Sequence, residues 1–217
     1  MNIFSLAQTT EGAYSIPMAI VDFLPVLFYF LAAWLIARDL YNKTSKTAFS
    51  FLAAGSLMVF IGGAFKALWK LLFCFGINYP FFYACFFPMQ APGFCLYLAG
   101  LIMTLKGAKK AGLNVVATTV TSSMPLLMFQ TLGSIGSLVC MCIIAKKMKQ
   151  TRAIVLFVMS VICILGMGYL AATLDSSLSW ANWVEQGVNA LGQLVFYLGV
   201  LVLHKNGFSD ENALKEN

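Results

Sequence analysis

Charged residues are scarce in this sequence. Lys, Arg, Asp and Glu make up 10% of its 217 residues, whereas about 25% is usual in a soluble domain. Apolar residues account for 60%, and the mean hydropathy is +0.84. Because the apolar residues lie in uncharged blocks long enough to cross a bilayer, this composition excludes a soluble globular protein and indicates an integral membrane protein.

Histidine is almost absent as well. The chain has one histidine, His204, and its six cysteines lie in apolar stretches without a Cys-x-x-Cys pair. Zinc and haem sites need such ligand clusters, and a Ser-His nucleophile pair needs a histidine near its serine. We therefore expect no metal, no cofactor and no catalytic residue, and an intramembrane enzyme is the least favoured function.

The excess of positive charge does not indicate a nucleic-acid partner. Fourteen Lys and Arg stand against eight Asp and Glu, and the cations cluster just beyond the apolar segments. That position is typical of topology anchors that face lipid headgroups. We expect membrane lipid as a partner, a location in the plasma membrane, and either a homo-oligomer or a larger membrane complex as further possibilities.

Six segments have the length of a membrane-spanning helix, which needs about 20 residues to cross about 30 Å of hydrocarbon. They cover residues 16–37, 47–75, 82–105, 125–145, 153–174 and 180–203, and residues 207–217 form a polar tail. The sequence therefore predicts an all-α polytopic bundle that occupies residues 1–217 as a single membrane domain.

A short internal repeat divides this domain into two halves. Residues 15–18 (Ser-Ile-Pro-Met) recur at residues 123–126 (Ser-Met-Pro-Leu), an offset of 108. We expect two pseudo-repeated three-helix halves, residues 15–110 and 122–206. Three crossings per half would invert the second half relative to the first, and inverted repeats are a recurring transporter design with the site between the halves near the midplane.

The uncharged segment 111–145 leaves a second topology open. Its 35 residues would make about 52 Å of helix, too long for one crossing and too short for two with a turn. If residues 111–123 cross as part of a seventh element, both halves keep the same orientation, in a three-one-three layout that resembles sugar transporters of the SWEET kind. About 12 residues of helix reach only about 18 Å, however, so six spans are preferred.

Orientation does not follow from the loop charges of the six-span topology. The cations outside the spans divide six against six between the two sides. The positive-inside rule therefore favours neither side as the cytoplasmic one. The six spans also resemble substrate-binding subunits of vitamin uptake systems, but the chain carries no diagnostic motif of that family or of the SWEET family.

Four ionisable residues lie within the predicted spans, namely Asp22, Lys66, Lys70 and Glu185. Such residues are costly in a bilayer and usually face a bundle interior or an aqueous cavity. Lys66 and Lys70 share a helix face, which indicates an anionic ligand or paired carboxylates; snorkelling to the interface is an equal alternative. If either ammonium pairs with an acid, the cavity is near neutral and suits a zwitterionic or singly anionic solute taken with a proton.

The sixth span carries a regular polar stripe. Its members are Asn182, Glu185, Gln186, Asn189 and Gln193, spaced as one face of a helix. Such a stripe is too costly to face lipid, so we expect it to face other helices or water and to bind a ligand. Hydrogen bonding between helices is the alternative.

The third span contains a second candidate binding segment, which includes Gln90. Residues 88–93 hold two prolines and a glycine, which break the helix hydrogen bonds inside the third span. At an offset of 100, Pro92-Gly93 corresponds to Gly192-Gln193. Paired interruptions point to a transporter site, although a packing kink is the alternative.

The sequence therefore predicts a transporter or channel for a small solute or ion, with a site lined by the third and sixth spans. A non-transporting module, either a sensor or a partner or substrate-binding subunit, is the alternative.

Overall fold

The computed structural model describes residues 14–106, 123–175 and 177–210, without the side chains of residues 123–125. Eight helices lie in these ranges: α1 (Ile16–Val21), α2 (Phe23–Leu40), α3 (Lys46–Cys74), α4 (Pro80–Ala84), α5 (Phe86–Leu105), α6 (Ser123–Lys147), α7 (Thr151–Thr173) and α8 (Ser179–Lys205). Taken as α1 with α2 and α4 with α5, they give six segments long and apolar enough to cross a membrane. This confirms the all-helical class and the six candidate spans.

Local sequence explains several helix ends. Pro17 and Pro80 lie in the first turns of α1 and α4, where the missing N–H forms no helix hydrogen bond anyway. Ser45 caps α3 by accepting a 3.2 Å hydrogen bond from the Ala48 N–H. Gly76, with a φ of +75°, lies in the turn after α3 in the left-handed region that glycine adopts without strain.

The spans pack as a ring in chain order. Each span packs against the one before it and the one after it, and α8 closes the ring against α2. Small residues set the closest approaches: a Cβ at Gly55 would lie 2.5 Å from the Tyr97 backbone nitrogen, and one at Gly133 would lie 2.9 Å from Phe94 Cβ. The glycines thus let α5 approach α3 on one side and α6 on the other.

The two interfaces between the halves are both parallel. Along α5 and α6, Gln90 pairs with Gln130, and about two turns further on a Cβ at Gly136 would meet Leu98. Along the first span (α1 and α2) and α8, Gln186 meets Val21, the last residue of α1, within the first third of each span. His204 meets Asp39 near the end of both.

The second half is therefore not inverted, and the predicted inverted repeat is wrong. Both halves run in the same direction because α6 begins at the opposite end of the bundle from the end of α5. The prediction assumed that the fourth span begins at the end of the bundle where the third span ends, and the described positions of α5 and α6 differ from that. The alternative of an extra membrane element at 111–123 falls, apart from Ser123, on residues outside the described ranges.

Parallel halves collect the cations at one end of the bundle. Arg38 meets His204 there, Lys43 donates to the Phe208 carbonyl, and Lys149 and Lys205 line one cleft. We call this the basic end, and its cations among the described residues are Arg38, Lys43, Lys46, Lys106, Lys146, Lys147, Lys149, Arg152 and Lys205. The even division of charge expected from the sequence is thereby replaced by a strong asymmetry.

Candidate functional site

A buried ion pair joins the first two spans at the end opposite the basic end. Lys70 Nζ lies 2.6 Å from Asp22 Oδ2, and the two side chains are 10% and 7% exposed. Asp22 Oδ2 forms no hydrogen bond of regular geometry, so the contact is an ion pair held by charge and proximity. Burial makes such a pair strong only while both partners remain.

Asp22 lies where the first span breaks into α1 and α2. Pro25 has no N–H for the Val21 carbonyl, which would otherwise be its partner four residues earlier. The Gln186 amide of α8 lies 3.5 Å from that carbonyl and donates to it. A polar side chain of the sixth span thus compensates the break beside Asp22. The spacing of Asp22 and Pro25 is a sequence signal that could have predicted this break.

Aromatic rings cover the ion pair. The Tyr14 ring lies 5.3 Å from Lys70 Nζ and packs edge-on against Trp69. The indole N–H of Trp69 donates to Asn78 Oδ1 at 3.1 Å, in the turn after α3. These rings hold the pair in a low-dielectric setting, where the attraction between two charges is stronger than in water.

Lys66 and Glu185 flank the pair with one charge of each sign. Lys66 Nζ lies 4.3 Å from the centre of the Phe86 ring, a cation–π contact. Glu185 acts electrostatically on both Lys70 and Tyr14. Both side chains are half-buried, and neither forms an ion pair with a described residue.

The polar stripe of α8 divides into buried and half-buried members. Asn182 and Gln186 are 7% and 5% exposed, and the Asn182 amide donates to Leu178 O at 3.2 Å in its own helix. Glu185, Asn189 and Gln193 are half-buried. The proximity of Glu185 and Gln186 to the ion pair makes α8 the third wall of the site. Ligand binding by the stripe stays a prediction.

Gln90 lies apart from the ion pair. Its amide donates to Val59 O at 3.3 Å, and its Oε1 accepts a 2.9 Å hydrogen bond from Gln130. These bonds join the third span to the second and fourth. The ion pair instead joins the first and second spans, with Glu185 and Gln186 of the sixth span beside it. Gln90 lies in a separate polar contact.

Polar atoms without a partner lie in the bundle interior. The hydroxyl oxygens of Tyr29 and Tyr97 and the Oε1 of Gln130 are buried and form no hydrogen bond of regular geometry with a described residue. Ser56 is the nearby polar neighbour of Tyr29. An unsatisfied buried polar group costs about 1–3 kcal/mol, which favours water or a polar solute at these positions.

A second polar network ties α2 to α8 at the basic end. His204 Nδ1 lies 2.8 Å from Asp39 Oδ2, and Arg38 Nη2 lies 3.1 Å from His204 Nε2. Lys43 Nζ donates to Phe208 O at 2.6 Å. Partial burial lowers the pKa of Lys43, whereas Asp39 acts to raise it. In the sequence, His204 is recognisable only as a residue at a helix end.

The clearest clefts of the described residues do not reach the ion pair. One of about 440 Å³ lies at the basic end, and one of about 320 Å³ lies between α2 and α8 and includes Trp34 and Tyr197. Asp22 and Lys70 line neither cleft, and both side chains are buried. Within the described ranges, no three His, Cys, Asp or Glu side chains are placed to hold a metal ion.

No family model, curated protein or solved structure matches this chain. A function for this chain therefore rests on the described geometry. Its strongest element is the buried ion pair, with one half-buried cation and one half-buried acid beside it.

Proposed function

We propose that the protein is an integral membrane transporter or channel for a small solute or ion. The buried Asp22–Lys70 pair carries this proposal. Two charges removed from water rarely stabilise a bundle more than apolar residues of similar volume would, so stability alone is a weak reason for such a pair. Ionisable residues inside a membrane usually mark a substrate or ion pathway.

The interior of the bundle supports a pathway from this pair. Tyr29, Tyr97 and Gln130 present buried polar atoms without regular hydrogen bonds. Gln130 belongs to the fourth span and Tyr97 to the third, so unsatisfied groups come from both halves. We propose that water or solute meets these atoms during transport and that the enclosed pair opens in an alternate conformation.

The charges of the site favour a zwitterionic or singly anionic solute taken with a proton. Asp22 and Lys70 compensate each other, which leaves Lys66 and Glu185 with opposite charges and no ion-pair partner among the described residues. Lys66 suits a solute carboxylate and Glu185 suits an ammonium or a transported proton. From the positive-inside rule we further propose that the basic end faces the cytoplasm. We also propose that the protein lies in the plasma membrane, with membrane lipid around its spans.

Uptake into proteoliposomes tests this proposal. Vesicles with the purified protein receive radiolabelled alanine, leucine or lactate, with and without an inward proton gradient. We expect at least one probe to enter faster than in protein-free vesicles. Glu185→Gln should remove its proton dependence, whereas Asp175→Asn, which changes an exposed loop acid, should leave it. The transport proposal is contradicted if none of the probes, nor protons alone, crosses faster than in protein-free vesicles.

A non-transporting membrane module, either a sensor or a partner subunit, is the second candidate. The buried Gln186 amide favours it, because its bond to Val21 joins α8 to α1 as a purely structural contact would. Gln186→Leu separates the two functions. If the amide is only structural, the variant should be less stable but should keep its response to ligand. If the amide takes part in transport, the variant should fold and lose uptake.

A further inference from the structure

A cleft at the basic end brings three cations together. It has a volume of about 440 Å³ and lies between the turn that joins α6 to α7 and the end of α8. Its charged lining residues are Lys149, Arg152 and Lys205, all exposed. None of the three forms an ion pair with a described residue. The cleft therefore presents a net positive surface.

Among the described residues, no acid forms an ion pair with these three cations. At the basic end, Asp39 is engaged by His204 and Arg38, and Asp210 acts on Lys43. The first turn of α7 adds donors, because the Gln150 side chain does not cap it. Unpaired cations beside an uncapped helix start favour an anion with several acceptor oxygens, such as a phosphate.

An apolar stripe continues from the cleft along α7. Arg152 is followed at intervals of three and four residues by Val155, Met159 and Ile162, which lie on the same helix face. These three side chains are 54%, 42% and 63% exposed. A molecule with a phosphate in the cleft would thus have an exposed hydrocarbon surface directly beneath it.

We propose that the cleft binds the phosphate of an anionic lipid headgroup, with an acyl chain along Val155, Met159 and Ile162. The cleft lies where the spans end, at headgroup depth, and basic pockets between helix ends suit such headgroups. A soluble phosphate compound offers the same charge but makes no use of the apolar stripe. The lipid is therefore the occupant that accounts for both features.

Native mass spectrometry of the purified full chain tests the proposal. The probe is dioleoyl phosphatidylglycerol, compared with dioleoyl phosphatidylcholine and with soluble glycerol 1-phosphate. Each Lys or Arg near an anionic headgroup contributes a factor of about five in affinity. We expect Arg152→Gln with Lys205→Gln to weaken phosphatidylglycerol binding about 25-fold. Arg152→Lys with Lys205→Arg keeps both charges and should retain most of the binding.

The matched control is Lys46→Gln with Lys106→Gln. It removes two exposed cations at the same end but outside the cleft, so binding should fall by less than about threefold. Equal losses in the two glutamine variants would assign binding to the whole basic end and overturn the cleft. Displacement of the lipid by an equal concentration of glycerol 1-phosphate would overturn the lipid as occupant. Retention times on size exclusion show that each variant is folded.

Discussion

Lys70 Nζ lies 2.6 Å from Asp22 Oδ2, across the interface between the second span and the break in the first. The contact converts two separate charges of the sequence into one nearly neutral group inside the bundle. Because Glu185 and Lys66 lie close enough to act on the same ammonium, a change at either partner alters the charge of the whole site.

We predict that single removals at this pair are more costly than the double removal. Asp22→Asn leaves a buried ammonium, Lys70→Met leaves a buried carboxylate, and each should lower the free energy of unfolding by about 3–5 kcal/mol. The double variant leaves no uncompensated charge and should recover much of that loss. Thermal unfolding in detergent measures the cycle, and additive losses would mean that the two charges are not coupled.

We predict that the ring of His204 carries its proton on Nδ1. An arginine can only donate, so the 3.1 Å contact with Arg38 requires Nε2 to accept, and Nδ1 then donates to Asp39 at 2.8 Å. His204 is the single histidine of the chain, so ¹⁵N-histidine labelling gives one NMR signature. A neutral ring protonated on Nε2 would contradict this network.

We predict that Gly55→Ala separates α3 from α5. The new methyl group would lie 2.5 Å from the Tyr97 nitrogen and 2.6 Å from the Gly93 oxygen, and backbone atoms cannot give way as a flexible side chain does. The expected loss is about 1–3 kcal/mol of unfolding free energy. Gly168→Ala is the matched control, because nothing lies within 4 Å of its Cβ position, and a better helix former there should cost nothing. Thermal unfolding in detergent measures both variants. Equal unfolding temperatures for the two variants would show that α3 and α5 do not approach this closely.

We predict that Asn42 and Ser209 lie on the same side of the membrane. The basic end holds both of their chain segments, and from the positive-inside rule we expect this end to face the cytoplasm. In a cysteine-free background, Asn42→Cys and Ser209→Cys should react with an impermeant maleimide only after cells are permeabilised. Ser177→Cys should react in intact cells. Inverted halves would instead put Asn42 and Ser209 on opposite sides.

The helical spans could be predicted to within a few residues because hydropathy is a local property of the chain. The second span was predicted at 47–75 and forms at Lys46–Cys74, and the sixth was predicted at 180–203 and forms at Ser179–Lys205. Asp22 and Lys70 could be singled out in the same way, since a charge in an apolar run is visible without knowing its partner.

The pairing of those charges and the direction of the halves were decided by tertiary structure. Asp22 and Lys70 are 48 positions apart, and only the packing of α3 against the broken first span sets their distance. Likewise, the contacts of Gln90 with Gln130 and of Asp39 with His204 show that the halves run in the same direction. Hydropathy is unchanged when a helix is reversed, so the sequence alone determined which six described segments are long and apolar enough to cross a membrane. Side-chain contacts between distant helices determined their relative direction and gathered the cations at one end.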